Sequence, residues 1–345
     1  MSTLATALEP AVPAGWLRNR RFDLVFIGAI PLLALAAGSF VTAKPEFLAP
    51  VIFVNLWVFG YHHVIATYSR LCMDRESLRE HAGLLTWLPP VVFVATIAIA
   101  FVGGIAGLAA VYLYWQWWHY ARQSWGVAQI YRRAAGDLPT GGENFNRLII
   151  YAVPVWGILY RSYQAPETFL TLPVWVVPIP EPVVAAAGAA AVGIFAAWAI
   201  SRAAIWVEGE LPIAHTLYVA SHIAMFCVGY LWIDDITTGW LVVNIWHNAQ
   251  YLAFVWLYNN KRFREGVSTK AWLLSTLSQS ENKALYFLFF FCITAIVYGG
   301  IYSIAAPIGA TLIFTMAVNF HHYIVDAKIW KARKPAFRRT LGLAG

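Results

Sequence analysis

The chain carries nine histidines, and all of them except His81 fall within strongly apolar stretches. They are His62, His63, His119, His215, His222, His247, His321 and His322. An imidazole in hydrocarbon must find its partners inside the protein, because no water is at hand. One such residue is usually a polar contact between helices. So many, in a chain with only 12% charged residues, point to a shared partner, and the most economical one is a metal ion. Helical spacing adds Asp326, four residues after His322 and on the same face. The expected metal ligands are therefore these histidines and Asp326. Imidazole with one carboxylate and no thiolate favours non-haem iron over zinc, copper or manganese, as one ion or two. The alternative is polar glue that holds helices together.

Around these residues lie groups that could act on a substrate: Arg122, Gln123 and Tyr251. Gln123 follows His119 by one turn, and Tyr251 follows His247 by one turn. Arg122 is expected to pair with Asp326 or to neutralise a substrate carboxylate or phosphate. Trp115, Trp117, Trp118, Tyr120, Trp246 and Tyr251 could line a tunnel for an apolar chain. Glu208 and Glu210 lie near His215, but acidic residues suit a helix start in any case. Two short patterns recur. Tyr61-His62-His63 resembles Phe320-His321-His322, and Trp118-His119-Tyr120-Ala121 resembles Trp246-His247-Asn248-Ala249. Adjacent histidines differ by about 100° on a helix, so one member of each His-His pair is expected to point away from a shared ion. Depth counted at ~1.5 Å per residue predicts two levels, with His63, His215 and His322 shallow and His119, His222 and His247 deep.

The elements that must hold these side chains follow from composition. Of 345 residues, 60% are hydrophobic and 16% aromatic, which excludes both a soluble domain and a disordered chain. Apolar blocks long enough to cross a bilayer occupy 22–42, 48–70, 84–102, 107–130, 146–162, 183–205, 211–232, 237–258, 284–304 and 307–329. A tight turn is expected at Gly103-Gly104. With both termini on one side, 21 of the 24 basic residues fall on that side, the cytoplasmic one. Only Lys44 and Arg161 fall outside, and Arg122 lies within a span. The expected fold is an all-α polytopic transmembrane helical bundle of about ten helices with both termini cytoplasmic. It forms a single integral-membrane domain over 1–345, with a cytoplasmic arm at 1–21 and a basic cytoplasmic tail at 330–345. Met1 to Asp23 is too long and polar before its first apolar run for a signal peptide, so the first span is expected to stay as an anchor. The net charge of +7 reads as topology, and no nucleic-acid partner is expected. The outer segment 162–182 has too many prolines for a helix, and Trp175 within it suggests an interfacial position. Cys72, Cys227 and Cys292 form no C-x-x-C pair, so no thiolate cluster is expected.

These dispersed intramembrane histidines resemble those of the histidine-rich integral-membrane non-haem iron oxygenases. That class comprises the fatty acid desaturases and hydroxylases and the bacterial carotene-cleaving dioxygenases. The resemblance is one of class, covers no contiguous domain, and implies one or two histidine-bound irons. The H-x-x-x-H and H-x-x-H-H boxes of desaturases are absent; two bare His-His pairs stand instead. The expected function is metal-dependent oxidoreduction of a membrane lipid or other apolar substrate, with an electron donor as partner, in the plasma (inner) membrane. Two alternatives stand beside it. A transporter or proton-coupled channel would use the His, Asp and Arg residues as a relay. A haem-binding electron carrier would use paired histidines as axial ligands, although no C-x-x-C-H attachment site occurs.

Overall fold

The computed structural model describes residues 15–305 and 308–343. Residues 1–14 of the expected arm, position 307 of the last expected span and residues 344–345 of the tail lie outside the described residues. The described chain is helical apart from two-residue strands, Thr168–Phe169 and Leu172–Pro173, which pair antiparallel in the proline-rich segment.

Among the described residues, six helices are long and apolar enough to cross a membrane. They are α1 (Arg20–Ala43), α2 (Pro45–Cys72), α3 (Leu88–Ala134), α5 (Glu181–Val207), α6 (Ile213–Trp232) and α8 (Ser280–Ile304). Three more pack among them: α4 (Glu143–Tyr163), α7 (Ile236–Arg262) and α9 (Ile308–Ile329). In the most apolar windows of α1, α2, α3, α5 and α8 at most 33% of residues are buried. Phe101, Val102 and Ile304 are each more than four-fifths exposed. An apolar surface of that extent would be costly in water and is what a lipid-facing exterior requires.

Helix α7 shows the opposite pattern. Every residue from Ile236 to Leu252 is buried, so it is the central post and its polar side chains face protein on all sides. Close packing against it needs small residues. Gly229 of α6 meets Gly239 of α7 backbone to backbone, and a Cβ on either would collide with the other. The buried guanidinium of Arg161 donates to the carbonyls of Gly229, Ile233 and Asp234. These carbonyls at the end of α6 lack helical partners, and a cation is favoured there.

At Gly104 the chain leaves helical geometry (φ 60°, ψ −163°), dividing α3 into two arms. Their contacts with α9 show a reversal. Leu84 lies against His321 and Phe93 against Phe314, so the chain entering the first arm runs opposite to α9. Tyr112 and Trp115 lie against Phe320, and His119 against Tyr323, so the second arm runs with it. The expected turn at Gly103-Gly104 is thus present.

Candidate metal centre

Four helices running in the same direction bring the key residues together: α2, the second arm of α3, α7 and α9. Asn55 meets Asn244, His63 meets Asn248, and Thr67 meets Tyr251, which fixes α2 parallel to α7. His63 with His322 and Arg70 with Ile329 do the same for α2 and α9. A π turn at Leu56–Gly60 sits just before His62-His63. Without it, Asn55 and His63 would be about 80° apart around the axis; absorbing one extra residue brings them within about 20°. That rephasing is why both reach α7.

His63, His119, His322 and Asp326 meet there, each buried, with one potential ligand atom per residue all within 4.8 Å of one another. His63 Nε2 and His322 Nε2 are 2.7 Å apart. Asp326 Oδ2 lies 3.6 Å from His322 Nε2 and 3.9 Å from His119 Nε2. Two imidazole nitrogens on adjacent positions of one first-row ion stand about 3 Å apart, so this spacing is close to that of neighbouring ligands. His247 joins at one side, its ring 4.9 Å from that of His63 and 5.0 Å from that of His119. A void of about 30 Å³ is bordered by all four of these imidazoles.

The surrounding hydrogen bonds hold these rings. Asn248 Oδ1 lies 2.6 Å from His63 Nδ1 and accepts from it, while Asn248 Nδ2 donates to Asn244 Oδ1 at 2.8 Å. With its proton at Nδ1, His63 presents a bare lone pair at Nε2. Thr67 Oγ1 is 2.9 Å from His322 Nδ1. Tyr251 donates to Asp326 Oδ1 at 2.6 Å and accepts from Trp330 Nε1 at 2.8 Å. A proton on His322 Nε2 would satisfy its contact with His63 without a metal. It would not satisfy His119 Nε2, His247 Nε2 or Asp326 Oδ2, which are buried and have no hydrogen-bond partner. This donor set therefore fits a cation.

The remaining expected ligands lie elsewhere. His62 turns outward, with Nδ1 near the Val58 carbonyl and its ring against Phe287 and Phe291. His321 is held between the Tyr68 hydroxyl and the Leu84 carbonyl. Each His-His pair thus splits as the 100° rule requires, and the mates of the two recurring patterns meet in space. His222 bonds the Ile150 carbonyl, and His215 is buried without a hydrogen-bond partner on either nitrogen. Neither belongs to the group of four. The two-level expectation is corrected: His63 and His322 meet His119 and His247 at one site. Counting residues from the last cation fails because each helix extends a different distance past the site before its charges begin.

Arg122 also differs from expectation. It is exposed, makes no ion pair with Asp326 among the described residues, and lies against Tyr151. One residue after buried Ala121, and about 300° round the helix from His119, its side chain points out into a cavity of about 630 Å³. Gln123, His119, Tyr251 and Asp326 line the same cavity. Of the expected tunnel aromatics, Trp115, Trp118 and Tyr251 border it. Tyr120 borders the small void, Trp117 donates to the Pro154 carbonyl, and Trp246 packs against His222 and Phe226. Glu208 and Glu210 are exposed.

Sequence reasoning overlooked Thr67, Asn244, Asn248 and Trp330. The first three were detectable as polar residues in apolar spans: Thr67 is four residues after His63, and Asn244 and Asn248 are four apart. Trp330 gave no comparable signal.

No family model matches this chain, and neither the curated proteins nor the solved structures give a match.

Proposed function

We propose that the protein is a membrane metalloenzyme in which His63, His119, His322 and Asp326 hold a transition-metal ion, with His247 completing the donor set. The observation that carries this reading is the convergence of four buried donor groups, two of which, His119 Nε2 and Asp326 Oδ2, have no hydrogen-bond partner. Non-haem iron suits imidazole with one carboxylate. When bound, such an ion would supply activation of dioxygen beside a lipid-soluble substrate. The chain's own residues do the rest. Asn248 and Thr67 set the orientation of His63 and His322, and Tyr251 holds one oxygen of Asp326 so that the other stays free. Tyr251, Tyr323 and Trp330 wall the site where it meets the larger cavity. Gln123, half-buried on that wall, offers an amide to whatever occupies it.

The finer topology belongs to the same proposal. Counting the two arms of α3 separately and adding α4, α7 and α9 to the other apolar helices gives ten spans. The basic residues then place both termini in the cytoplasm of a plasma (inner) membrane protein. Helices α4 and α7 are compatible with this count, because their buried polar residues, Arg161 and His247 among them, need no contact with lipid.

Metal analysis by mass spectrometry on the purified full-length chain tests the centre. The wild type is expected to carry one or two transition-metal ions per chain. His119→Ala, His247→Ala and His322→Ala should lose them, whereas His62→Phe and His215→Phe should keep them. Metal-free protein from iron-supplemented expression, or equal content in all variants, overturns the reading. A strong Soret band in the same samples would replace it with haem.

A further inference from the structure

His119 and Asp326 form the floor of the 630 Å³ cavity, and its walls have two characters. Part of the lining is aromatic, with Trp115, Trp118 and Trp330. Part is cationic: Arg122, Arg133, Arg147, Lys328, Lys331 and Arg333 all border it. Apart from Asp326, Glu143 is the one acidic residue on its lining, and Glu143 is already shared between Arg132 and Arg147. Among the described residues, Arg122, Arg133, Lys328, Lys331 and Arg333 form no ion pair. Lys331 shows the result. Partial desolvation, followed by the fields of Arg333, Lys328, Lys334 and Arg122, holds its ammonium below the usual lysine range.

A preference for cations on the cytoplasmic side explains which end of the bundle is basic. It does not explain why these side chains border a single concavity, while Arg338 and Arg339 of the same tail lie outside its lining. Gathering like charges without counter-charges is unfavourable until an anion arrives, and guanidinium groups suit phosphate and carboxylate oxygens. The volume lies in the range of small-molecule sites.

We propose that the cavity binds an amphiphile with an anionic phosphate or carboxylate head. The head sits among Arg122, Arg133 and Lys331, and the apolar chain passes the tryptophans toward His119 and Asp326. As the substrate class of the enzyme, this rests on the metal-centre reading; as a binding site it stands on the cavity alone.

Binding of dodecyl phosphate to the full-length protein in dodecyl maltoside tests it, read by tryptophan fluorescence and by native mass spectrometry. One molecule per chain is expected, bound at least about tenfold more tightly than dodecyltrimethylammonium or inorganic phosphate. The double variant R122Q/K331Q should lose about tenfold or more in affinity, and R338Q/R339Q should lose none. R133Q/R333Q serves as the second cavity variant if the first is not monodisperse. Metal content is measured on every sample. Equal binding of the cationic amphiphile, or no loss in either cavity variant, overturns the proposal. Inorganic phosphate binding as tightly as dodecyl phosphate would identify a free anion as the ligand and overturn it too. Wild-type protein that binds dodecyl phosphate as expected but carries no metal would remove the enzyme reading and leave this site standing.

Discussion

Asn248→Ala separates a metal centre from a polar contact, because Asn248 holds a proposed ligand without being one. Its buried amide accepts from His63 Nδ1 at 2.6 Å and donates to Asn244 at 2.8 Å. Removing a partner that orients a ligand histidine weakens metal binding by about 10–100-fold. With free metal at about 1,000 times the wild-type Kd, the ion stabilises the wild type by about 4 kcal/mol. The variant would gain only about 1.4–2.7 kcal/mol under the same conditions. Alanine also leaves His63 Nδ1 without its acceptor, while Asn244 Oδ1 keeps Asn55; the loss costs about 1–3 kcal/mol, with or without metal. The assay is therefore a difference: unfolding of both proteins in detergent, stripped and reloaded, with a chelator competition for the affinity itself. Asn248→Asp, which keeps an acceptor facing His63, should restore most of the metal-dependent gain. Equal gains in wild type and alanine variant, or no gain in either, would refute the reasoning.

Asp326→Asn keeps an acceptor for the Tyr251 hydroxyl but removes the anionic ligand, so metal content should fall while the protein remains monodisperse on size exclusion. Gly104→Ala meets nothing within 4 Å, yet its backbone conformation is nearly exclusive to glycine. It should cost about 1–3 kcal/mol, read as a lower unfolding temperature. Outside the spans, the hydrogen bond from Lys334 holds the Glu80 carboxyl below its ordinary range. A depressed carboxylate stabilises above its unfolded pKa and loses that contribution as pH falls through the folded value. The small difference in unfolding temperature between wild type and Glu80→Gln should therefore be present at pH 7, fade as pH falls below the unfolded glutamate value of about 4.3, and shrink in about 1 M salt.

Much of the helical architecture was legible because apolar blocks, glycine and the ordering of charge act locally. The Gly103-Gly104 reversal is one example, and the opposite headings of His62 and His63 are another. Depth was not legible. It depends on how far each helix continues past the site, and that is set by packing around α7 rather than by the position of the next arginine. Arg122 misled because a cation inside an apolar segment implies a buried partner only if its face of the helix is buried. Here that face opens on the cavity. The roles of Thr67 and Asn248 required the rephasing at Leu56–Gly60, which no periodic pattern announces.

The alternative of polar glue can be weighed within this same molecule, since other residues show what glue looks like here. Arg161 spends its guanidinium on three backbone carbonyls, Asn146 donates to the carbonyls of the turn before α4, and His321 is bonded at both nitrogens. In each case the polar group is bonded to fixed neighbours, with only the Nε of Arg161 left over. Unused nitrogens also occur away from the centre, one each on His62 and His222 and both on His215. At the centre the situation differs. His119 Nε2 and Asp326 Oδ2, on two separate helices, are unused 3.9 Å apart, and the ring of His247, whose Nε2 is also unused, lies 5.0 Å from that of His119. Hydrogen-bond partners have been supplied to the other atoms of His63, His322 and Asp326, so the omission is selective. A contact evolved only to join helices gains from satisfying those atoms and loses by burying them bare. Leaving them bare is favourable where a cation takes the place of the missing donors.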